Sequence, residues 1–316
     1  MKKISFILFL LTTLTICSQQ KFSQEISFIT ENDLYTSLID DHYYTNGMFL
    51  SYKYLSKKKK KKLEKRILEW SIGHEMYSPY KSVIASVEEH DRSFAAYLYG
   101  SFGINRIYNN NQNFKTSVQL GILGSYAYGE ELQDFIHNIY GFREAVGWEY
   151  QIKNALGLNF NLEFNKHLLK DNSNHFDVSW INMANAGTVY TNISTGVYGR
   201  IGFKPLQDLA NSIGFNSNIN NTDTNYFREI ESFLFIKPTI RYALYDATLQ
   251  GSFLNKNSEV TSELVPIVFD LEIGLKFTSN RFNFGYTFNY NTNKSKGLRF
   301  DNGHKYGSIN IAYLLK

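Results

Sequence analysis

Phe282-Asn283-Phe284-Gly285-Tyr286-Thr287-Phe288-Asn289-Tyr290 alternates an aromatic ring with a small or amide side chain. Successive side chains of a strand point to opposite faces, so this stretch predicts a strand with one aromatic and one polar face. The same period returns at Leu156, Leu158, Phe160, Leu162 and Phe164, set against Gly157, Asn159, Asn161 and Glu163. Ile267 to Phe277 repeats it with Asp270, Glu272 and Lys276 on the opposite face. The last segment sets Ile309, Ile311, Tyr313 and Leu315 against Ser308, Asn310 and Ala312. A sandwich with solvent on one face would also alternate, but these segments run about ten residues and are strongly aromatic, as transmembrane barrel strands are. Closure into a barrel also removes the sheet edges that a bilayer cannot satisfy. The expected class is all-β, an antiparallel transmembrane β-barrel.

Composition agrees with that class. Aromatic residues make up 16% of the 316 residues, proline occurs 4 times, and the formal net charge is +4. Met1-Lys2-Lys3 and the apolar run Ile4 to Ile16 read as a secretory signal peptide, with residues 1–19 removed and a barrel domain over 20–316. That run is too short to span a bilayer as a helix. Cys17 is the only cysteine, so there is no disulfide framework; bulky Ile16 before it departs from a lipobox, and cleavage is expected near Ser18 to Gln20. The destination implied is the bacterial outer membrane.

About twelve strands are expected, near 24–31, 44–56, 67–77, 92–106, 114–124, 152–166, 175–184, 188–203, 231–245, 266–278, 281–291 and 304–315. An even count puts both termini in the periplasm. Connections after odd strands then face outside: 32–43, 78–91, 125–151, a turn near 185–187, 246–265 and 292–303. The long connection 204–230 lies on the periplasmic side and suggests a short helix over Lys204 to Ile213. Pro238 in the ninth strand predicts a ladder gap or bulge. The basic run Lys57 to Lys62 falls in a periplasmic turn, and with the rest of the chain nearly charge-balanced no nucleic-acid partner is expected.

Polar residues concentrate on the outer side. Asn32-Asp33 and Tyr43-Tyr44-Thr45-Asn46-Gly47 flank the first outer connection. Strict alternation from lipid-facing Ile26 and Phe28 sends Glu31 and Asp33 inward and Asn32 outward; on the second strand it sends Thr45 inward with Ser51. Gly129 to Gly141 reads as a short helix, with Leu132, Phe135, Ile136 and Ile139 expected to pack inward. Glu130, Gln133 and His137 fall at i, i+3 and i+7 and share a face. A histidine near a carboxylate and an amide can activate water. Asp33 with neighbouring oxygens suits a hard cation such as Ca²⁺, which would polarise an ester carbonyl. Neither a zinc motif nor a Gly-x-Ser-x-Gly elbow is present, which favours water over serine as the nucleophile.

These segments resemble the outer-membrane lipid A 3′-O-deacylases of the LpxR family. The resemblance rests on Glu31-Asn32-Asp33, Tyr43 to Gly47, Tyr77-Ser78-Pro79, Asp91 to Tyr99, Gln133 with His137, Gly147 to Ile152 and Leu249 to Asn255, in the family's order. It implies a twelve-stranded barrel that hydrolyses the ester of the 3′ acyl chain of lipid A with Ca²⁺. By position, Asn32, Asp33, Thr45 and His137 match the family's site: His137 as the base, Asp33 as a Ca²⁺ ligand, and Asn32 and Thr45 toward substrate or oxyanion. Gln133 and Glu130 would support the site. The family also uses a lysine in the second outer loop; the only lysine between Pro79 and Asp91 is Lys81, nearer the Ser-Pro than the family pattern has it. Arg92 is expected to hold the strand start. The expected partners are lipid A, or lipopolysaccharide, and outer-membrane lipid, with the barrel acting as a monomer. The competing readings are a channel or binding barrel, its pore lined by Glu163, Arg200, Lys237, Arg241, Asp270, Glu272 and Lys276, or an esterase acting on another outer-leaflet lipid.

Overall fold

The computed structural model describes residues 20–36, 43–56 and 62–316. The proposed signal peptide, Cys17 and most of the Lys57–Lys62 run lie outside the described residues. Twelve strands form: β1 Gln24–Asn32, β2 Tyr43–Leu55, β3 Leu63–Ser78, β4 Ala95–Tyr108, β5 Gln112–Leu123, β6 Ala155–Lys170, β7 Phe176–Gly187, β8 Tyr190–Gly202, β9 Ser232–Asp246, β10 Ile267–Ser279, β11 Phe282–Asn291 and β12 His304–Leu315. Each pairs antiparallel with its sequence neighbours, and β1 pairs with β12, closing the barrel. Ile26, Leu50, Trp70, Leu120, Phe160 and Ile273 are exposed on the outer face, as alternation requires of strands in lipid. Pro238 interrupts the β8–β9 ladder between the Gly196–Thr239 and Gly199–Ile236 pairs without a register slip, while the pair Leu271–Pro238 persists on the β10 side. The gap was expected because proline has no N–H to give.

The lumen is filled rather than open. At the end carrying the termini, the segment between β8 and β9 folds inward, burying Leu206, Leu209, Ile213 and Ile219 against inward-facing Tyr198, Phe233 and Phe235. It contains 3-10 turns at Leu209–Asn211 and Ile213–Phe215 in place of the expected helix. Arg200 holds this plug: it donates to both carboxylate oxygens of Asp177, to Glu231 Oε1 at 3.2 Å, to Ser212 Oγ at 2.5 Å and to the Gln207 carbonyl at 3.2 Å. Phe215 and Phe233 sandwich its guanidinium at 4.9 and 5.2 Å. Further up, Lys237 pairs with Glu272 at 2.9 Å and Arg241 with Asp270 at 2.7 Å. Most of the charges that a pore reading would need are thus paired within the lumen, while Glu163 accepts from Asn165 and Lys276 lies over the Phe235 ring.

At the opposite end, the connection after β5 carries helix α1, Gly129–Tyr140. Gly141 ends it in the left-handed conformation (φ +72), and the Phe142 N–H reaches back to the His137 carbonyl at 2.8 Å, a glycine stop. At the other end of α1, a Cβ on Gly129 would lie 2.6 Å from Ala96 Cβ and 2.5 Å from the Trp148 ring. Only glycine lets the helix approach the wall that closely.

Candidate active site

Register decides which side of the wall each site residue occupies. Asn32 pairs with Asn46, Asn46 with Met76, and Met76 with Ala96. The same outward row system contains Phe28, Leu50 and Ile72, so Asn32 and Asn46 face outward, as alternation predicts for Asn32. Glu31 faces the lumen, where the Tyr44 hydroxyl donates to it at 2.6 Å. Thr45 departs from the expected inward direction. The β2–β3 register shifts between Tyr44 and Asn46, so inward Tyr44 pairs with Tyr77 and outward Asn46 pairs with Met76. Thr45 is the extra residue of a β-bulge, and strict alternation no longer applies to it. Its hydroxyl instead reaches the Met76 carbonyl at 3.4 Å. Tyr43, at the start of β2, has a left-handed backbone (φ +73). Its hydroxyl donates to Asp91 Oδ2 at 2.9 Å and accepts from Phe300 N at 3.0 Å, tying the first, second and last outer connections together.

Helix α1 lies on the outer face of β3–β5, at the level of Asn46 and Met76. Met76, Phe94, Ala96, Ala127, Ala145 and Trp148 form one buried cluster beneath it. The His74 ring donates from Nε2 to the Ala127 carbonyl at 2.8 Å, just before the helix. Trp148 is wholly buried and its indole N–H donates to Gln133 Oε1 at 2.7 Å. One turn further on, His137 is 4% exposed and its Nδ1 lies 2.5 Å from the Arg143 carbonyl. A carbonyl can only accept, so Nδ1 carries the proton and the ring's lone pair sits on Nε2, the tautomer a general base needs. Gln133 and His137 therefore come together on the wall side of the helix.

Three groups of residues lie away from where the sequence placed them. Glu130 does not join Gln133 and His137: it is exposed, and its carboxyl is held above the ordinary range by partial burial and then by Asp134 and Glu131. Phe135 and Ile139 do not pack inward. They are 62% and 65% exposed, because the buried face of α1 is taken by Gln133 and His137 and its apolar face turns outward, as on a helix lying at a membrane interface. Lys81 is not drawn into the cluster. Its Nζ pairs with exposed Glu89 at 3.3 Å and lies over the Tyr80 ring. Lys81→Ala is therefore expected to leave catalytic rate near that of the unsubstituted chain, measured on purified protein. Arg92 takes the structural place expected of it, donating to the Ser93 and Thr248 carbonyls and stacking on Tyr77.

The first turn after β1 fixes the remaining pair. The Leu34 N–H donates to Asn32 Oδ1 at 2.8 Å and to Asp33 Oδ1 at 2.9 Å. With its oxygen so used, Asn32 has its side-chain N–H₂ left to donate. Asp33 is 1% exposed. Asn46, which the sequence placed in the first polar cluster without a role of its own, is buried beside Asn32 with an Oδ1 that has no hydrogen-bond partner. Sequence reasoning missed Trp148 as the post on which α1 rests, and nothing local marks it. Among the described residues no group of three or more His, Cys, Asp or Glu gathers. The oxygens present, one buried carboxylate at Asp33 and the unpartnered amide oxygen of Asn46, fit a hard cation that also takes carbonyl and water ligands.

The Gln133–Trp148 bond carries a stability expectation. Gln133→Ala leaves a buried indole N–H unpaired, at a cost of about 1–3 kcal/mol. Limited proteolysis should cut the α1 connection faster while the barrel still migrates as folded on unheated gels.

Among solved structures, LpxR from Salmonella typhimurium superposes with a TM-score of 0.74 at 20% identity, covering 92% of this chain and all (100%) of that one. The β domain of the Bordetella autotransporter BrkA gives 0.42 at 9% identity, covering 94% of this chain and 100% of that chain. The translocator domain of NalP from Neisseria meningitidis gives 0.41 at 9% identity, covering 99% and 95%. No curated protein matches in sequence. The family model described as outer membrane protein LpxR matches residues 4–315. With nearly its whole length matched and a closed twelve-stranded barrel carrying helix α1 on its outer side, the chain belongs to the LpxR family of outer-membrane β-barrel proteins.

Proposed function

We propose that this protein is a lipid A 3′-O-deacylase, hydrolysing the ester that holds the 3′ acyl chain in the outer leaflet. The observation that carries the reading is the position of His137: its Nδ1 is tied to the Arg143 carbonyl, and it is buried between α1 and the outer face of the wall. Asn32 and Thr45 lie at the outer rim of that wall. A lumenal site would suit a solute; a site on the lipid face suits a substrate anchored in the leaflet.

His137 Nε2 takes a proton from water as that water attacks the ester carbonyl carbon. The Nδ1–H keeps donating to the Arg143 carbonyl, which stabilises the ring as it becomes cationic. The Asn32 side-chain N–H₂ and the Thr45 hydroxyl are the donors suited to the developing oxyanion. Protonated His137 then returns its proton to the sugar oxygen as the carbon–oxygen bond breaks, releasing the fatty acid. Asp33, with Asn46 Oδ1, would hold Ca²⁺, which when bound supplies electrophilic polarisation of the carbonyl.

Mass spectrometry of lipid A from a Gram-negative host expressing the chain tests this reading. Loss of the 3′ acyl chain, abolished by a calcium chelator and restored by added Ca²⁺, is the expected result. Intact lipid A despite a correctly folded outer-membrane barrel would refute it. Hydrolysis that survives chelation would remove Asp33 from its role while leaving His137 in its own.

A further inference from the structure

The outward face of β1–β5 below α1 is not uniformly filled. From the rim toward the membrane centre, the outward cross-strand rows are Asn46–Met76–Ala96, then Met48–His74–Leu98–Ile122, then Leu50–Ile72–Gly100–Leu120, then Tyr52–Trp70–Phe102–Val118. The second row is roofed by the helix, with Leu98 and Ile122 packed against the cluster under α1. In the third row Gly100 interrupts a run of large apolar side chains. A Cβ built there meets nothing within 4 Å. In the fourth row the paired Trp70 and Phe102 rings meet at a tilt of 45°, with centroids 4.5 Å apart. The result is an apolar recess of about 720 Å³ that opens to lipid and includes Leu50, Ile72, Gly100, Leu120, Trp70 and Phe102 in its lining.

We infer that this recess holds the acyl chain of the substrate, and that the Gly100 gap and its Trp70–Phe102 floor set the chain length accepted. The inference rests on the deacylase reading of the site above it. Three observations support a hydrocarbon chain as the occupant. The recess lies on the same outward face as Asn46 and Met76, beginning one row below the row roofed by α1. Its lining is apolar and faces the bilayer interior, where no polar ligand would settle. Its floor is at the right depth: six residues below Asn46 is roughly 20 Å along a strand. With the tilt of barrel strands that is about 15 Å along the membrane normal, close to half the apolar band of such barrels. A chain whose ester is held at the rim would end near Trp70 and Phe102. A second recess, of about 410 Å³, lies around Leu162, Ile193 and Ile240 on the opposite wall. It has no contact with α1.

Gly100→Leu tests this without threatening the fold, because the added side chain enters open space. Trp70→Ala is the complementary change. The assay presents purified protein in mixed micelles with equal amounts of two lipid A species, one with a short and one with a long 3′ acyl chain, and reads both products by mass spectrometry. Gly100→Leu is expected to shift the product ratio toward the short chain by about tenfold, the loss of roughly two buried methylenes. Trp70→Ala should shift it toward the long chain. An unchanged ratio in both variants, or an equal loss of turnover on both substrates with Gly100→Leu, overturns the inference while leaving the deacylase reading intact. A wild-type protein that cleaves neither species overturns the deacylase reading, and this inference with it.

Discussion

His137→Ala is expected to lower the rate of 3′ deacylation by about 10²–10⁴-fold, the usual contribution of a positioned general base. The barrel should fold as before, since the substitution leaves the Trp148–Gln133 bond and the cluster of Met76, Ala96 and Ala127 in place. Truncation also orphans the Arg143 carbonyl that Nδ1 satisfies at 2.5 Å, so a second substitution separates chemistry from local collapse. In His137→Gln the amide N–H₂ can still donate to that carbonyl, but the side chain cannot accept a proton from water. Loss of activity in both variants, with normal heat-modifiable migration on gels, assigns the defect to the base. Recovery of substantial activity in His137→Gln would show that the ring only positions α1.

Arg200→Ala is expected to produce the largest loss of stability of any single substitution in the lumen. Its guanidinium is fully buried and serves Asp177 and Glu231 together. Removing one partner of a buried ionic group leaves uncompensated charge, at a cost of about 3–5 kcal/mol. Arg200→Lys should recover only part of this, because an ammonium cannot reproduce the two-pronged contact with Asp177 or the stacking on Phe215 and Phe233. Urea unfolding of protein in detergent, followed by tryptophan fluorescence, measures the change. At low temperature without denaturant, the variant should still hydrolyse substrate, because the plug lies at the end opposite α1 and contributes nothing to the rim. A variant that is fully stable but inactive would contradict that separation.

The two expectations divide the molecule as its construction does. The wall is continuous and its rim can be catalytic while its lumen is structural. This also bears on the channel alternative. Glu163 donates nothing to a pore but accepts from Asn165 at 2.6 Å, and the Lys237–Glu272 and Arg241–Asp270 pairs neutralise one another across adjacent strands. Below them the plug packs against Phe233 and Phe235. Inward charge here is held in pairs and hydrogen bonds, around a polar cavity of about 190 Å³ lined by Glu75, Tyr77, Arg241 and Lys294.

Much of this was legible in the chain itself. Period-two alternation is a one-dimensional signal, set by the geometry of a single strand, so the strands follow from it, and the side of each connection follows from their even count. The same parity places Asn32 on the outer face and Glu31 in the lumen. The glycine-bounded segment 129–141 marks α1 because helix ends have local chemistry. What the sequence did not determine is whatever depends on two strands at once. The bulge at Thr45 is a mismatch of register between β2 and β3, and it redirects a proposed site residue with no mark in the local pattern. The outward turn of Phe135 and Ile139 follows from which face of α1 meets the wall, and that wall is made of Met76 and Ala96, more than thirty residues upstream. Lys81 was matched by its place in a loop, and loop position does not fix where a long side chain goes. Alternation along the chain settled inside and outside; only packing between elements settled which polar groups meet.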